Sequence, residues 1–143
     1  MGLRLLEERA VDDHMPIWSP DGRQIAFVRE SEGSSAVYTV AALGGQERKR
    51  VDIGGLHSVR YTALAWGPDG DRLVLAEKPS ESDPARIVRL SLATLEKRPL
   101  TFPPEGPEGD VMLALSPDRS HRDFLRNGPK GAGALWAGSE LQW

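Results

Sequence analysis

Short apolar runs bounded by polar turns recur along the chain. Ile25-Ala26-Phe27-Val28 follows Arg23-Gln24, and Leu73-Val74-Leu75-Ala76 follows Asp71-Arg72. Both runs are too short for a stable helix and rich in residues that suit a pleated sheet, so they predict buried strands. A polar stretch follows each: Glu30–Ser35 in the first case and Lys78–Pro84 in the second. Further strands are expected at Val37–Val40 and Ile87–Leu90. Gly44-Gly45 then leads to a last strand at Gln46–Val51, and Ala93-Thr94 leads to one at Leu95–Thr101. Each unit therefore reads as a four-stranded antiparallel meander joined by hairpins.

The units share a turn. Ile17-Trp18-Ser19-Pro20-Asp21-Gly22 recurs as Ala65-Trp66-Gly67-Pro68-Asp69-Gly70, and again more weakly as Leu115-Ser116-Pro117-Asp118-Arg119. The aspartates lie 48 and then 49 residues apart. Proline at 20, 68 and 117 presets the turn dihedral. Aspartate at 21, 69 and 118 can cap the turn with its own side chain, and Gly22 and Gly70 accept positive φ. Trp18 and Trp66, just before the turn, are expected to be core residues that anchor one sheet against the next. A lone meander of this size cannot bury both faces. Radial stacking solves that problem, so the period predicts an all-β partial propeller of about three four-stranded blades, near residues 12–53, 60–102 and 110–143, with the third incomplete. A β-sandwich is the alternative, but it needs no echo of one turn.

The third unit departs from the pattern. Arg119 stands where glycine is expected, and Arg122 and Asp123 fall where Ile25 and Ala26 sit in the first unit. Two charges in a buried strand must be paired or exposed. Either they find partners, or this blade is an exposed terminal one, or the gene is degraded here. Three blades cannot close a ring. The open edges predict self-association, or a longer parent chain.

Composition narrows the reading. Of 143 residues, 39% are hydrophobic and 27% charged, which suits one folded domain. The net charge of −3 gives no footprint for nucleic acid or anionic lipid, and Arg48-Lys49-Arg50 reads as a solvated strand end. With no cysteine, thiol chemistry is excluded. No apolar stretch reaches the length of a membrane span, and the first residues do not form a secretory signal, so a cytoplasmic location is expected.

The stretch Trp18–Phe27, with Val37-Tyr38 and Gly44-Gly45, resembles the repeat of TolB-like, PD-repeat β-propellers. The resemblance covers about residues 12–101 well and about 110–137 poorly. It implies a scaffold that binds a protein partner through loops. Such blades occur in the periplasmic TolB protein, in propeller domains of prolyl-oligopeptidase-like peptidases, and in sensor regions of bacterial winged-helix regulators and Ser/Thr kinases. Ala42–Arg48 and Leu92–Thr101 resemble the regulator and kinase group most, which implies a sensor module from a larger regulator. The alternatives are a peptidase propeller and a TolB-type translocation protein, the latter periplasmic. Partner-binding loops are expected at Glu30–Ala36, Gly54–Arg60 and Lys78–Arg86.

Chemistry is sparse. His14, His57 and His121 lie far apart and lack metal-ligand spacing. There is no G-x-S-x-G elbow and no phosphate loop. His121-Arg122-Asp123 spells a kinase tripeptide without the other kinase elements. Neither catalytic residues nor a metal or cofactor site is expected, and the chain reads as non-enzymatic. The residues singled out are those of the turns: Trp18, Pro20, Asp21, Gly22, Trp66, Pro68, Asp69, Gly70, Pro117 and Asp118.

Overall fold

The computed structural model describes residues 12–54, 64–105, 109–118, 120–127 and 133–140, with the backbone alone for 112, 123–125, 127 and 133–140. Arg119, His57, Trp143, most of the loop expected at 54–60, and the side chains of Asp123 and Trp136 lie outside the described residues.

Every described element is a strand. The first sheet holds β1 (Asp12–Trp18), β2 (Gln24–Ser31), β3 (Ser34–Ala41) and β4 (Arg48–Gly54), in the order β1-β2-β3-β4. The second holds β5 (Leu64–Trp66), β6 (Arg72–Glu77), β7 (Arg86–Ser91) and β8 (Lys97–Pro99), again in chain order. The third holds β9 (Asp110–Leu115), β10 (His121–Asn127) and β11 (Gly133–Glu140), ordered β11-β10-β9. All pairings within the sheets are antiparallel.

Alternation along the strands builds two cores. Ala26, Val28, Val37 and Ile53 of the first sheet meet Trp66, Leu73, Leu75, Val88 and Leu90 of the second. Val74, Ala76 and Ile87 point the other way, and Leu113 of the third sheet packs against them. β6 is thus apolar on both faces because both are covered, which is why its sequence reads as an unbroken run rather than an alternation. Each fully buried aliphatic side chain contributes about 1.5–3 kcal/mol.

One expected loop is not a loop. Strands β2 and β3 run on to Ser31 and Ser34, leaving only Glu32-Gly33 between them. Both residues have positive φ, 36° and 90°. Two such residues form the tight turn whose twist matches a hairpin. The polar residues of 30–36 therefore belong mostly to strands, and little loop remains there to reach a partner. In the third sheet, β10 forms despite its charges.

Candidate functional site

The repeated turns have a common geometry. In the first, Ser19 Oγ donates to Asp21 Oδ1 at 2.6 Å, the Arg23 amide donates to the same oxygen at 3.0 Å, and the Gln24 amide donates to Ser19 Oγ at 3.0 Å. Gly22, at φ 69°, closes the turn by donating its amide to the Ser19 carbonyl at 2.9 Å. The third turn repeats this: Ser116 Oγ donates to Asp118 Oδ1 at 2.5 Å, and the Ser120 amide donates to the same oxygen at 3.0 Å. These hydroxyls, helped by the amides, hold the carboxyls of Asp21 and Asp118 below the ordinary aspartate range. In the second turn Gly67 replaces the serine, so Asp69 has no such hydroxyl. The backbone closes it, with the Gly70 amide donating to the Gly67 carbonyl at 3.2 Å and Gly70 at φ 73°. Pro20, Pro68 and Pro117 lie exposed at the tips.

The two tryptophans separate. Trp66 is 2% exposed, and its indole N–H donates to the Ile17 carbonyl of β1 at 3.1 Å, tying the second sheet to the first. Trp18 was expected in the core but is 60% exposed. The face of β2 and β3 on its side packs against no other described sheet, so there is no strand for its ring to reach. Ile17, Trp18, Trp66 and Leu115 instead border an uncharged cleft of about 540 Å³ where β1, β5 and β9 converge.

A second set of repeated positions flanks each turn. Eight residues after the turn aspartate stand Arg29, Glu77 and Arg126, and eight before it, in the first and third units, stand Asp13 and Asp110. Arg29 holds Asp13 at 2.7 Å and Glu47 at 2.6 Å, with its guanidinium 4.8 Å from the Tyr38 ring centroid and 5.3 Å from that of Phe27. Arg126 holds the fully buried Asp110 with both nitrogens, at 2.5 and 2.9 Å. These carboxylates push both guanidinium pKa values further up. Glu77, buried, accepts from Arg86 at 2.8 Å and from Lys97 at 2.5 Å. The spacing from the turn aspartate would have revealed these residues, but the sequence reading gave them no role.

Backbone contacts stitch neighbouring sheets. The Lys78 amide donates to the Ile53 carbonyl at 3.1 Å, and the Asp110 amide donates to the Ala85 carbonyl at 2.7 Å. Arg122, expected to need a partner, is half-buried and donates through Nη2 to the Leu100 carbonyl at 2.9 Å, while its Nε is buried without a hydrogen bond. Burial pulls its pKa down.

The serine, histidine and carboxylate of the third turn are engaged with one another. Ser120 Oγ lies 2.6 Å from Asp118 Oδ1 and 2.7 Å from His121 Nδ1. A hydrolytic triad sets the imidazole between carboxylate and hydroxyl; here the hydroxyl lies between the other two. His14 faces Glu30 at 3.6 Å. No three histidine, aspartate or glutamate side chains converge as metal ligands among the described residues.

Four-stranded antiparallel sheets stacked face to face, with their first strands converging, define a β-propeller, present here in part. Its blades are TolB-like. The chain is 32% identical over 105 residues to the uncharacterized peptidase YuxL of Bacillus subtilis strain 168, covering 70% of this chain and 15% of that protein. It is 32% identical over 87 residues to the Tol-Pal system protein TolB of Francisella tularensis subsp. holarctica, covering 61% of this chain and 19% of that one. Among solved structures, TolB from Acinetobacter baumannii superposes with a TM-score of 0.68 at 20% identity, over 88% of this chain and 29% of that chain. No family model matches. The chain thus spans less than a fifth of the length of these curated relatives.

Proposed function

We propose that this chain is a non-catalytic propeller segment of a larger protein, of the kind carried by peptidases or by TolB, and that it contributes binding surface rather than reacting groups. The observation that carries the reading is the similarity to YuxL and TolB, each matched over a small part of its length. The engagement of the turn aspartates and seam charges in structure agrees with it. The sensor reading, with a winged helix or kinase attached, has no support from these relatives and ranks below the peptidase and TolB readings. A TolB-type parent would place the chain in the periplasm, so the similarity favours that location over the cytoplasm.

The test is to read the genomic DNA on both sides of the reading frame. A downstream α/β-hydrolase with a G-x-S-x-G elbow supports the peptidase reading, and further blades behind a secretory signal support the TolB reading. A winged helix or kinase upstream overturns both in favour of the sensor. Hydrolysis of peptide substrates by the isolated chain, lost on substitution of one of its own residues, would overturn the non-catalytic reading.

A further inference from the structure

The outer end of the first blade carries an unbalanced group of arginines. Arg23, Arg48 and Arg50 line a groove of about 440 Å³ together with Gln24, Thr39 and Gln46. Arg50 is fixed there: its Nε donates to Oγ1 of the buried Thr39 at 2.7 Å. Burial pulls its pKa down and the neighbouring Arg48 adds to the effect, with no carboxylate offsetting either. Arg23 has Asp21 within electrostatic reach, and the cations of this blade outside the groove also have acids. Arg29 holds Asp13 and Glu47, and Lys49 holds Asp52 at 2.6 Å.

The second blade supplies an internal control. In the registers of the two sheets, Tyr38 pairs with Phe27 and Lys49, as Val88 pairs with Leu75 and Pro99. That matches Gln46 with Glu96, Arg48 with Arg98 and Arg50 with Leu100. Counted from the turn, Arg23 matches Asp71. Arg98 is neutralised by Glu96 at 3.0 Å, and Leu100 packs into the apolar core. In the first blade both acids are gone, one replaced by an amide and one by a cation, and an arginine takes the place of the leucine. Gln24 and Thr39 match Arg72 and Arg89, so the matched positions of the second blade hold three arginines against two acids, whereas this groove holds three arginines and no acid.

Its shape selects an extended ligand. Arg48 and Arg50 stand two residues apart on β4, the terminal strand of its sheet, with Arg50 at the bulge where the register to β3 shifts between Lys49 and Val51. Two residues of strand span about 7 Å, which is also the spacing of alternate side chains in an extended peptide. A strand added at the Arg48 end of β4, whose edge pairs with no other described strand there, would bring alternate side chains near these guanidiniums, with the bulge at Arg50 displacing the register locally. We propose that the Arg48 end of β4, terminal among the described strands of its sheet, binds an extended acidic protein segment with carboxylates at alternate positions, read by Arg48 and Arg50, with Arg23 at the groove's end. This deepens the binding-module reading and rests on it.

The probe is a fluorescent peptide alternating glutamate and valine, titrated into the full chain at low salt by anisotropy. Binding is expected, weakened at least tenfold by R48Q or R50Q and also by Gln46→Glu, which restores the acid found in the second blade. R98Q, at the equivalent position that Glu96 already holds, is expected to leave it unchanged. Near-UV circular dichroism of each variant checks the fold, and Gln46, being exposed, is a change the fold tolerates. No binding, equal binding of a glutamine–valine peptide, or insensitivity to Q46E and both arginine variants overturns the proposal. Full displacement by inorganic phosphate at equal carboxylate charge would also overturn it, since the site would then be a simple anion site. If peptide binding fails while a parent-protein partner is still captured through other surfaces, the groove alone is rejected and the module reading stands.

Discussion

Arg29 and Glu77 occupy the same place in successive blades with opposite charge. Each lies eight residues after its turn aspartate, and each reaches a partner at the start of its blade's outer strand: Glu47 at 2.6 Å for the arginine, Lys97 at 2.5 Å for the glutamate. The ion pair is kept while its polarity is reversed.

Removing the buried end of the second pair is costly. Glu77→Gln leaves Arg86 and Lys97 without their shared carboxylate. Both cations are about a third exposed, so the loss is expected at roughly 2 kcal/mol, below the 3–5 of a fully buried pair. Glu77→Arg alone is expected to cost more. Combined with Lys97→Glu and Arg86→Ala it restores one ion pair of the first blade's polarity, without the Asp13 and ring contacts that Arg29 has, and part of the stability returns. Urea denaturation of the single and combined variants checks this.

The tryptophans are expected to behave unequally despite matching sequence contexts. Trp66→Ala removes a buried ring and its hydrogen bond to Ile17, for about 3–5 kcal/mol. Trp18→Ala alters a 60% exposed ring and is expected within about 0.5 kcal/mol of the parent. Thermal unfolding of the two variants side by side tests it; equal losses would contradict the assignment of Trp66 as the anchor.

The difference between these two residues marks where sequence reading stops. Each turn was legible because proline, aspartate and glycine act locally, through φ and a side chain that caps its own backbone. The apolar runs of β2 and β6 were legible for the same reason of period. Burial of Trp18 was not, because it depends on whether a neighbouring sheet covers that face. The seam charges were missed for another reason. Asp13 and Arg29 meet across a register that only the paired strands reveal, and the inversion at Glu77 hides the repeat from any search for identical residues. Arg122 fits its strand only because the Leu100 carbonyl of the preceding blade accepts from it, a contact between blades that no local pattern carries.

The turns should show in acid. Asp21 is held below its ordinary pKa chiefly by the Ser19 hydroxyl and then by the Arg23 amide, and Asp118 by the hydroxyls of Ser116 and Ser120. A carboxyl whose folded pKa is depressed stabilises the fold above its unfolded value, near 3.9, and loses that contribution as pH falls through the folded value. The turns are therefore expected to hold at neutral pH and to loosen below about pH 4. Ser19→Ala is expected to move the Asp21 titration up toward about 3.9, measured by carboxyl carbon NMR; an unchanged midpoint would contradict the hydroxyl's role.

Gly54 closes the seam between the first two blades. It sits at φ 78°, bridged to Lys78, and a Cβ there would lie 1.9 Å from the Lys78 carbonyl oxygen. Backbone cannot yield that distance locally, so Gly54→Ala is expected to part the blades at this end and cost more than about 2 kcal/mol. Gly33→Ala, with positive φ but open space around it, is expected to cost less. Hydrogen exchange at the Lys78 amide, which donates to Ile53, reports the opening directly.

The reversed polarity at Arg29 and Glu77 also works as an address. Units that echo one another in sequence invite a strand of one to fold into the other, a recurrent failure of repeat proteins. If the outer strands of these two blades traded places, Glu47 would face the buried Glu77 and Lys97 would face Arg29. Each error brings like charges together, one of them at a carboxylate with almost no solvent around it, so each of these two outer strands matches the blade whose sign it answers.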